Sequence, residues 1–147
     1  MGPIVLSTCL SRLSEPAARI AVNLARSTGA ALHVVHAVDR SLGGHINAAM
    51  AAKESTQLDS DTLVDRDFLA FCERFRMADV LKERVLLHGL IADEVVKYAA
   101  KVAASYVVVG TSAPAGLTAA VLGSVADTIV RKCSTPVLIV RFDLQIA

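Results

Sequence analysis

The chain has no tryptophan, two tyrosines and four phenylalanines in 147 residues. Three of the phenylalanines, Phe68, Phe71 and Phe75, fall on one helical spacing, which leaves few rings on which nucleobases could stack. An excess of one charge sign is also lacking: fifteen Lys and Arg stand against fourteen Asp and Glu, a formal net of +1. No long-range field gathers nucleic acid or an anionic membrane, so any anion must be caught by local groups. Cys9, Cys72 and Cys133 are odd in number and contain no CxxC pair, which argues against a disulfide framework and for buried thiols in a reducing cytoplasm. The opening residues do not read as a secretory leader, and Leu6 stands where a myristoylation signal needs Ser or Thr.

Metal-ligand spacing is absent too. His33 and His36 lie in one strand-like run and point to opposite faces, because side chains alternate along a strand; His45 and His88 are remote from both. No metal site is expected. One long uncharged run exists, residues 102–126, but Gly110, Ser112, Pro114, Gly116 and Thr118 would break a membrane helix inside it. A buried strand followed by a loop accommodates the same residues.

What remains is a length suited to a single domain over residues 1–147, with 54% apolar and 20% charged residues. Such a chain buries roughly 70% of the surface exposed when unfolded. Ile4 to Ser7 forms a short apolar strand. Ser14-Glu15-Pro16 then offers a helix start, and Gly29 offers the left-handed stop. Between them Ala17, Ile20, Ala21, Leu24 and Ala25 recur on one face, which predicts Ile20 and Leu24 against the core and Arg19 and Arg26 in solvent. Residues 31–38 make a second strand, and Val64, Phe68, Phe71, Cys72 and Phe75 mark the apolar stripe of a second helix. A third strand at 84–89 precedes a helix at about 91–104 with Val95, Ala99, Val102 and Ala103 facing inward. A strand at 106–109, a helix from about Ser124 to Lys132 and a strand at 136–140 complete the chain. Strands that are nearly all apolar and alternate with helices predict a doubly wound five-stranded parallel sheet with helices on both faces. In such a sheet ligands bind beyond the carboxyl ends of the strands, at the loops after strands one and four.

The loop after strand four is not a P-loop. Five residues separate Gly110 from Gly116, and Leu117 follows where Lys is required. Nor does the loop after strand one, TCLSRLSE, carry the glycines of a dinucleotide fingerprint, so Asp39 reads as a turn residue rather than a ribose ligand. The spacing that does occur is Gly110, two residues, Ala113, nine residues, then Gly123-Ser124 opening a helix. Backbone amides there attract anions without any lysine.

That loop resembles the nucleotide loop of the universal stress protein family. The likeness extends over about 140 positions, through SEPAARIAVNLA, GAALHVVHAV, VVVGT and STPVLIV. The resemblance implies sheet order 3-2-1-4-5, a Rossmann-like fold of the adenine-nucleotide alpha hydrolase type, and an ATP-binding loop. If the nucleotide site is retained, it implies nucleotide contacts at Cys9, Val38, Gly110, Thr111, Ser112, Ala113, Gly116, Gly123 and Ser124. It also implies a homodimer paired through Val137, Leu138, Ile139 and Val140 of an otherwise bare edge strand.

Departures weaken the implied site. Nucleotide-binding members usually end strand one in Asp, Gly and Ser, where this chain has Cys9, Leu10 and Ser11. The second loop glycine is Ala113, followed by Pro114, and Ser105 stands where Asp is frequent. Loss of a charge-assisted hydrogen bond and an Ala held at positive φ together cost about 2.5 to 4 kcal/mol, roughly two to three decades of affinity. The expectation is a stress-response module with a degenerate adenine-nucleotide site, requiring no cofactor and read by protein partners. ATP would bind weakly, with neither nucleic acid nor membrane as a partner. The alternative is a working ATP sensor in which Thr111, Ser112, Ser124 and loop amides compensate. An enzyme is not expected, although weak ATP hydrolysis stays open. A thiol enzyme would need Cys9 activated by Arg12, with no histidine near it in sequence.

Overall fold

The computed structural model describes residues 1–39, 60–113 and 123–143. Five parallel strands, β1 (Ile4–Ser7), β2 (Leu32–Val38), β3 (Leu81–His88), β4 (Tyr106–Ala113) and β5 (Val137–Asp143), form one sheet in the order β3-β2-β1-β4-β5. Four helices are described with them: α1 (Glu15–Thr28), α2 (Ser60–Arg74), α3 (Ile91–Lys101) and α4 (Ser124–Lys132). The doubly wound layer and its order are those expected. Residues 41–47, His45 among them, together with Pro114, Gly116 and Thr118, lie outside the described residues.

Alternation along the central strands divides the core in two. Ile4, Leu6, Leu32 and Val34 pack with α1 and with Phe68, Phe71 and Cys72 of α2. Val5, Val35, Val107 and Val109 pack on the other face with Val95 and Ala99 of α3 and Ala126 and Ile129 of α4. Both faces of these strands are therefore covered, which explains their unbroken apolar sequences. The uncharged run at 102–126 includes β4. No helix among the described residues is long and apolar enough to cross a membrane.

Helix α1 starts at Glu15-Pro16 and ends at Gly29, whose φ of 74° is left-handed, as the sequence predicts. Its rotation about its own axis differs from the prediction. Ala17, Ala18, Ala21, Val22 and Ala25 are buried, whereas Ile20 is 41% exposed and Leu24 only half-buried. Small side chains let the helix sit close to the sheet, and the larger ones are displaced to its flanks. Gly110 serves the same close approach: a Cβ there would meet the Leu13 carbonyl at 3.2 Å and Ala17 Cβ at 3.5 Å.

The other boundaries shift in ways that hydrogen bonding explains. Helix α3 stops at Lys101, and Ala103, expected to face inward, is exposed at a left-handed φ of 50°. There Ala104 N–H donates to the Ala99 carbonyl and Ala103 N–H to that of Ala100, the paired bonds of a Schellman stop. Strand β3 begins at Leu81, across a register shift at Leu32/His33, with Lys82, Glu83 and Arg84 exposed on the sheet edge. Strands β4 and β5 pair as far as Ala113 and Asp143. Pro136 precedes β5, with its carbonyl accepting from Val107 N–H.

Candidate functional site

Strand β1 stops at Ser7, opposite Val35 of β2 and Val109 of β4, so the chain order changes direction between β1 and β4. A cleft of about 300 Å³ opens over that point, where a doubly wound sheet is expected to bind ligands. Its walls come from Thr8, Cys9, Leu13 and Ser14 after β1, from the ends of β2 and β4, from the start of α3 and from the first turn of α4.

The α4 side presents an open helix start. Gly123 is the N-cap, no side chain caps the helix, and the intrahelical ladder starts with Asp127 N–H donating to the Gly123 carbonyl. The amides of Ser124, Val125 and Ala126 thus belong to the open first turn, where the helix dipole is positive. Gly123 N–H is already used: it donates to Thr111 Oγ1 at 2.9 Å, which ties the loop exit to β4. Thr111 is accordingly a positioning hydroxyl whose lone pair holds the turn.

The β1 side is built of hydroxyls. Ser14 Oγ accepts from Cys9 N–H at 3.0 Å, and Thr8 Oγ1 accepts from Leu10 N–H at 2.9 Å. These bonds hold Leu10 at φ 62°, in the left-handed region that favours glycine. Cys9 Sγ lies 2.8 Å from Ser11 Oγ and 3.2 Å from Ser14 Oγ. Partial burial pushes its pKa up, but the hydrogen bonds of Ser11 and Ser14 outweigh it and leave the thiol below its ordinary value. The serines, rather than Arg12, account for that shift.

Of the residues expected to contact a nucleotide, Cys9, Gly110, Thr111, Gly123 and Ser124 line this cleft. Val38 does not; the cleft opens over His36 and Ala37, just past the end of β1, and Val38 lies one step further along, its carbonyl accepting from Gly89 N–H. Ser112 and Ala113 continue β4, paired with Phe142 and Asp143. Ala113 is a paired residue of β4 and its backbone is extended. Its extended backbone is the conformation that a following proline imposes. The strained non-glycine residue beside the cleft is instead Leu10.

Thr8, Ser14, His36 and Ile91 also line the cleft and were not singled out from the sequence. The hydroxyl-rich TCLSRLSE segment was a signal for the first two. His36 and Ile91 come from a separate strand and helix, and no local pattern marks them. His36 Nδ1 is 2.8 Å from the Thr8 carbonyl, so it must donate there, and its ring stands edge-on to Phe68. His33 faces the other side and bonds Tyr98 Oη at 2.8 Å, so the two histidines diverge as expected.

Among the described residues no charged side chain lines the cleft, and none gather into a group of three metal ligands. Asp39 is buried and lines an adjoining cavity with Asp93 and Lys132, which pair at 2.9 Å. Ser105, where an acid is frequent, donates its hydroxyl to the Gly2 carbonyl at 2.7 Å and pins the N-terminus to the start of β4.

The universal stress protein family model matches residues 1–141. The chain belongs to the universal stress protein family. Universal stress protein MJ0531 of Methanocaldococcus jannaschii is 31% identical over 141 residues, covering 94% of this chain and 81% of that one. A solved universal stress protein from Archaeoglobus fulgidus superposes with a TM-score of 0.69 at 23% identity, covering 95% of this chain and 98% of the other. An Archaeoglobus fulgidus universal stress protein solved in complex with dAMP superposes with a TM-score of 0.66 at 22% identity, covering 95% and 97%. At those identities the structures establish the universal stress protein fold, and the dAMP belongs to that relative alone.

Proposed function

We propose that this universal stress protein is a dimeric, cytoplasmic stress-response module whose adenine-nucleotide site is degenerate, with regulation exerted through protein partners. The observation that carries this reading is Cys9. It stands at the end of β1, where the family's nucleotide-binding members place a carboxylate, and its thiol is turned to Ser11 and Ser14. With no charged side chain along the described cleft wall, nothing there anchors the hydroxyls of a ribose by charge-assisted bonds. ATP, if taken up, is held at its phosphates by the open turn of α4, with Ser124 beside them, and binds weakly. No catalytic role is assigned: His36 Nδ1 is committed to a backbone carbonyl and no acid stands among the described cleft residues.

The second reading is a working ATP sensor. It is favoured by the uncapped α4 N-terminus at the switch point of the sheet and by the relative solved with dAMP. Calorimetry with magnesium ATP separates the two. Under the degenerate-site reading wild type binds near or above millimolar concentration, and Ala113→Gly alone changes little because the strand and Pro114 keep that residue extended. Cys9→Asp combined with Ala113→Gly and Pro114→Gly restores an acid and two backbone freedoms and should gain at least about tenfold. Wild-type binding tighter than about 10 μM would establish the sensor instead.

A further inference from the structure

Along α1, Arg19, Val22, Asn23 and Arg26 recur at i, i+3, i+4 and i+7 and form one stripe. The end of α2 brings Arg74, Phe75 and Arg76 against it, leaving a groove of about 380 Å³ on the molecular surface. Phe75 forms a common platform: the guanidinium carbon of Arg19 lies 5.7 Å from its ring centroid and that of Arg74 5.6 Å. Two cations stacked on one ring are held in place with donors left to project outward.

The charges do not balance. Arg26 is matched by a two-bond pair to Asp79 at 2.8 and 2.9 Å. Arg19 and Arg74 share the single carboxylate of Glu15, at 2.9 and 3.3 Å. Arg76 uses its backbone carbonyl to accept from Arg26, and its exposed guanidinium makes no ion pair with any described residue. Among the described residues, four guanidiniums therefore face two paired carboxylates, a local excess of two positive charges in a chain whose whole formal charge is +1. A phosphate monoester carries close to two negative charges at neutral pH and presents oxygens that match the guanidinium fork.

We propose that this groove binds a phosphate monoester, gripped by Arg19, Arg74 and Arg76 beside the Phe75 ring. The proposal is independent of the nucleotide reading, because it uses none of the cleft residues. The same chemistry is offered by a small phosphorylated metabolite or by a phosphoserine of another protein.

An NMR titration of the full chain with phenyl phosphate at low ionic strength tests it. Saturable amide shifts are expected at Arg26 and at Arg74 to Arg76. Arg76→Gly removes the unpaired guanidinium while suiting the φ of 51° found there, so the fold survives, and binding should weaken about tenfold. Arg74→Gln should weaken it comparably, with the melting temperature as its folding control. A phosphoserine peptide that binds more tightly than phenyl phosphate identifies a protein partner, whereas equal or weaker binding identifies a small phosphate. The proposal is overturned by any of four results: no saturable shift at millimolar phenyl phosphate, shifts confined to Ser124 to Ala126, unchanged affinity in Arg76→Gly, or equal binding of the unphosphorylated peptide.

Discussion

Cys9 Sγ is bracketed by two serine hydroxyls on an exposed loop, while Cys72 is buried on the core side of α2 and its pKa is pushed up to about 11 by that burial. The thiolate is the reacting form, so alkylation in the folded state should follow this contrast. Iodoacetamide at mildly alkaline pH is expected to modify Cys9 first and Cys72 only on unfolding. A fast phase that survives in Cys9→Ser would refute the assignment. At His33 burial prevails. Burial lowers its pKa, with Glu83 acting against the shift and Lys82 adding to it, so the folded protein prefers the neutral ring bonded to Tyr98. Below the ordinary histidine range the unfolded chain binds this proton more readily than the folded one, and stability therefore falls as pH drops through that range. Urea midpoints measured against pH should decline less steeply in His33→Gln than in wild type. The thiol's partners Ser11 and Ser14 are local in sequence, although the sequence pointed to Arg12 beside Cys9; the Tyr98 partner of His33, 65 positions away, carried no local signal.

For the elements, the ends of α1 were legible because Pro16 and Gly29 act through their own backbones. Its rotation was not, because hydrophobic spacing weights Ile20 and Leu24 by size, whereas the sheet selects the residues that allow closest approach. Ile20→Ala should therefore cost less than about 0.5 kcal/mol, as at other exposed positions. Ala21→Val, which pushes a larger group against a fully buried face, should cost about 1 to 3 kcal/mol. Leu24→Ala should fall between them, at about 1 to 2 kcal/mol, since that side chain is half-buried. Urea denaturation of the three variants checks the order, and a larger loss at Ile20 than at Ala21 would restore the periodicity's original phase. The stops at Arg76 and Ala103 escaped the sequence for a related reason. Each takes a left-handed φ without glycine, compensated by the hydrogen bonds that close its helix.

On the scale of the whole molecule, strand β5 is the outer strand of the sheet beyond β4, and Leu138 in it is 37% exposed. An apolar open edge invites pairing, and a second β5 related by a twofold axis would satisfy both at once. Light scattering at micromolar concentration is expected to give twice the chain mass of 15.5 kDa. Leu138→Lys or Val140→Lys should move it towards a single chain, and a monomeric wild type would end the dimer proposal. Val140 is the less selective variant, because its side chain also packs on the α1 core.

The sequence by itself determined the fold class and, through its family likeness, the strand order. Periodicity, capping residues and glycine spacing are properties of contiguous residues, and each survives when the chain is read one window at a time. Tertiary structure alone decided what stands opposite what. It placed His36 and Ile91 in the cleft, left Val38 outside it, tied Gly123 to Thr111, and set Arg74 and Arg76 against the Arg19 stripe. Those juxtapositions join segments remote in sequence, and they depend on helix rotation and strand register, which the packing of the whole sheet settles together.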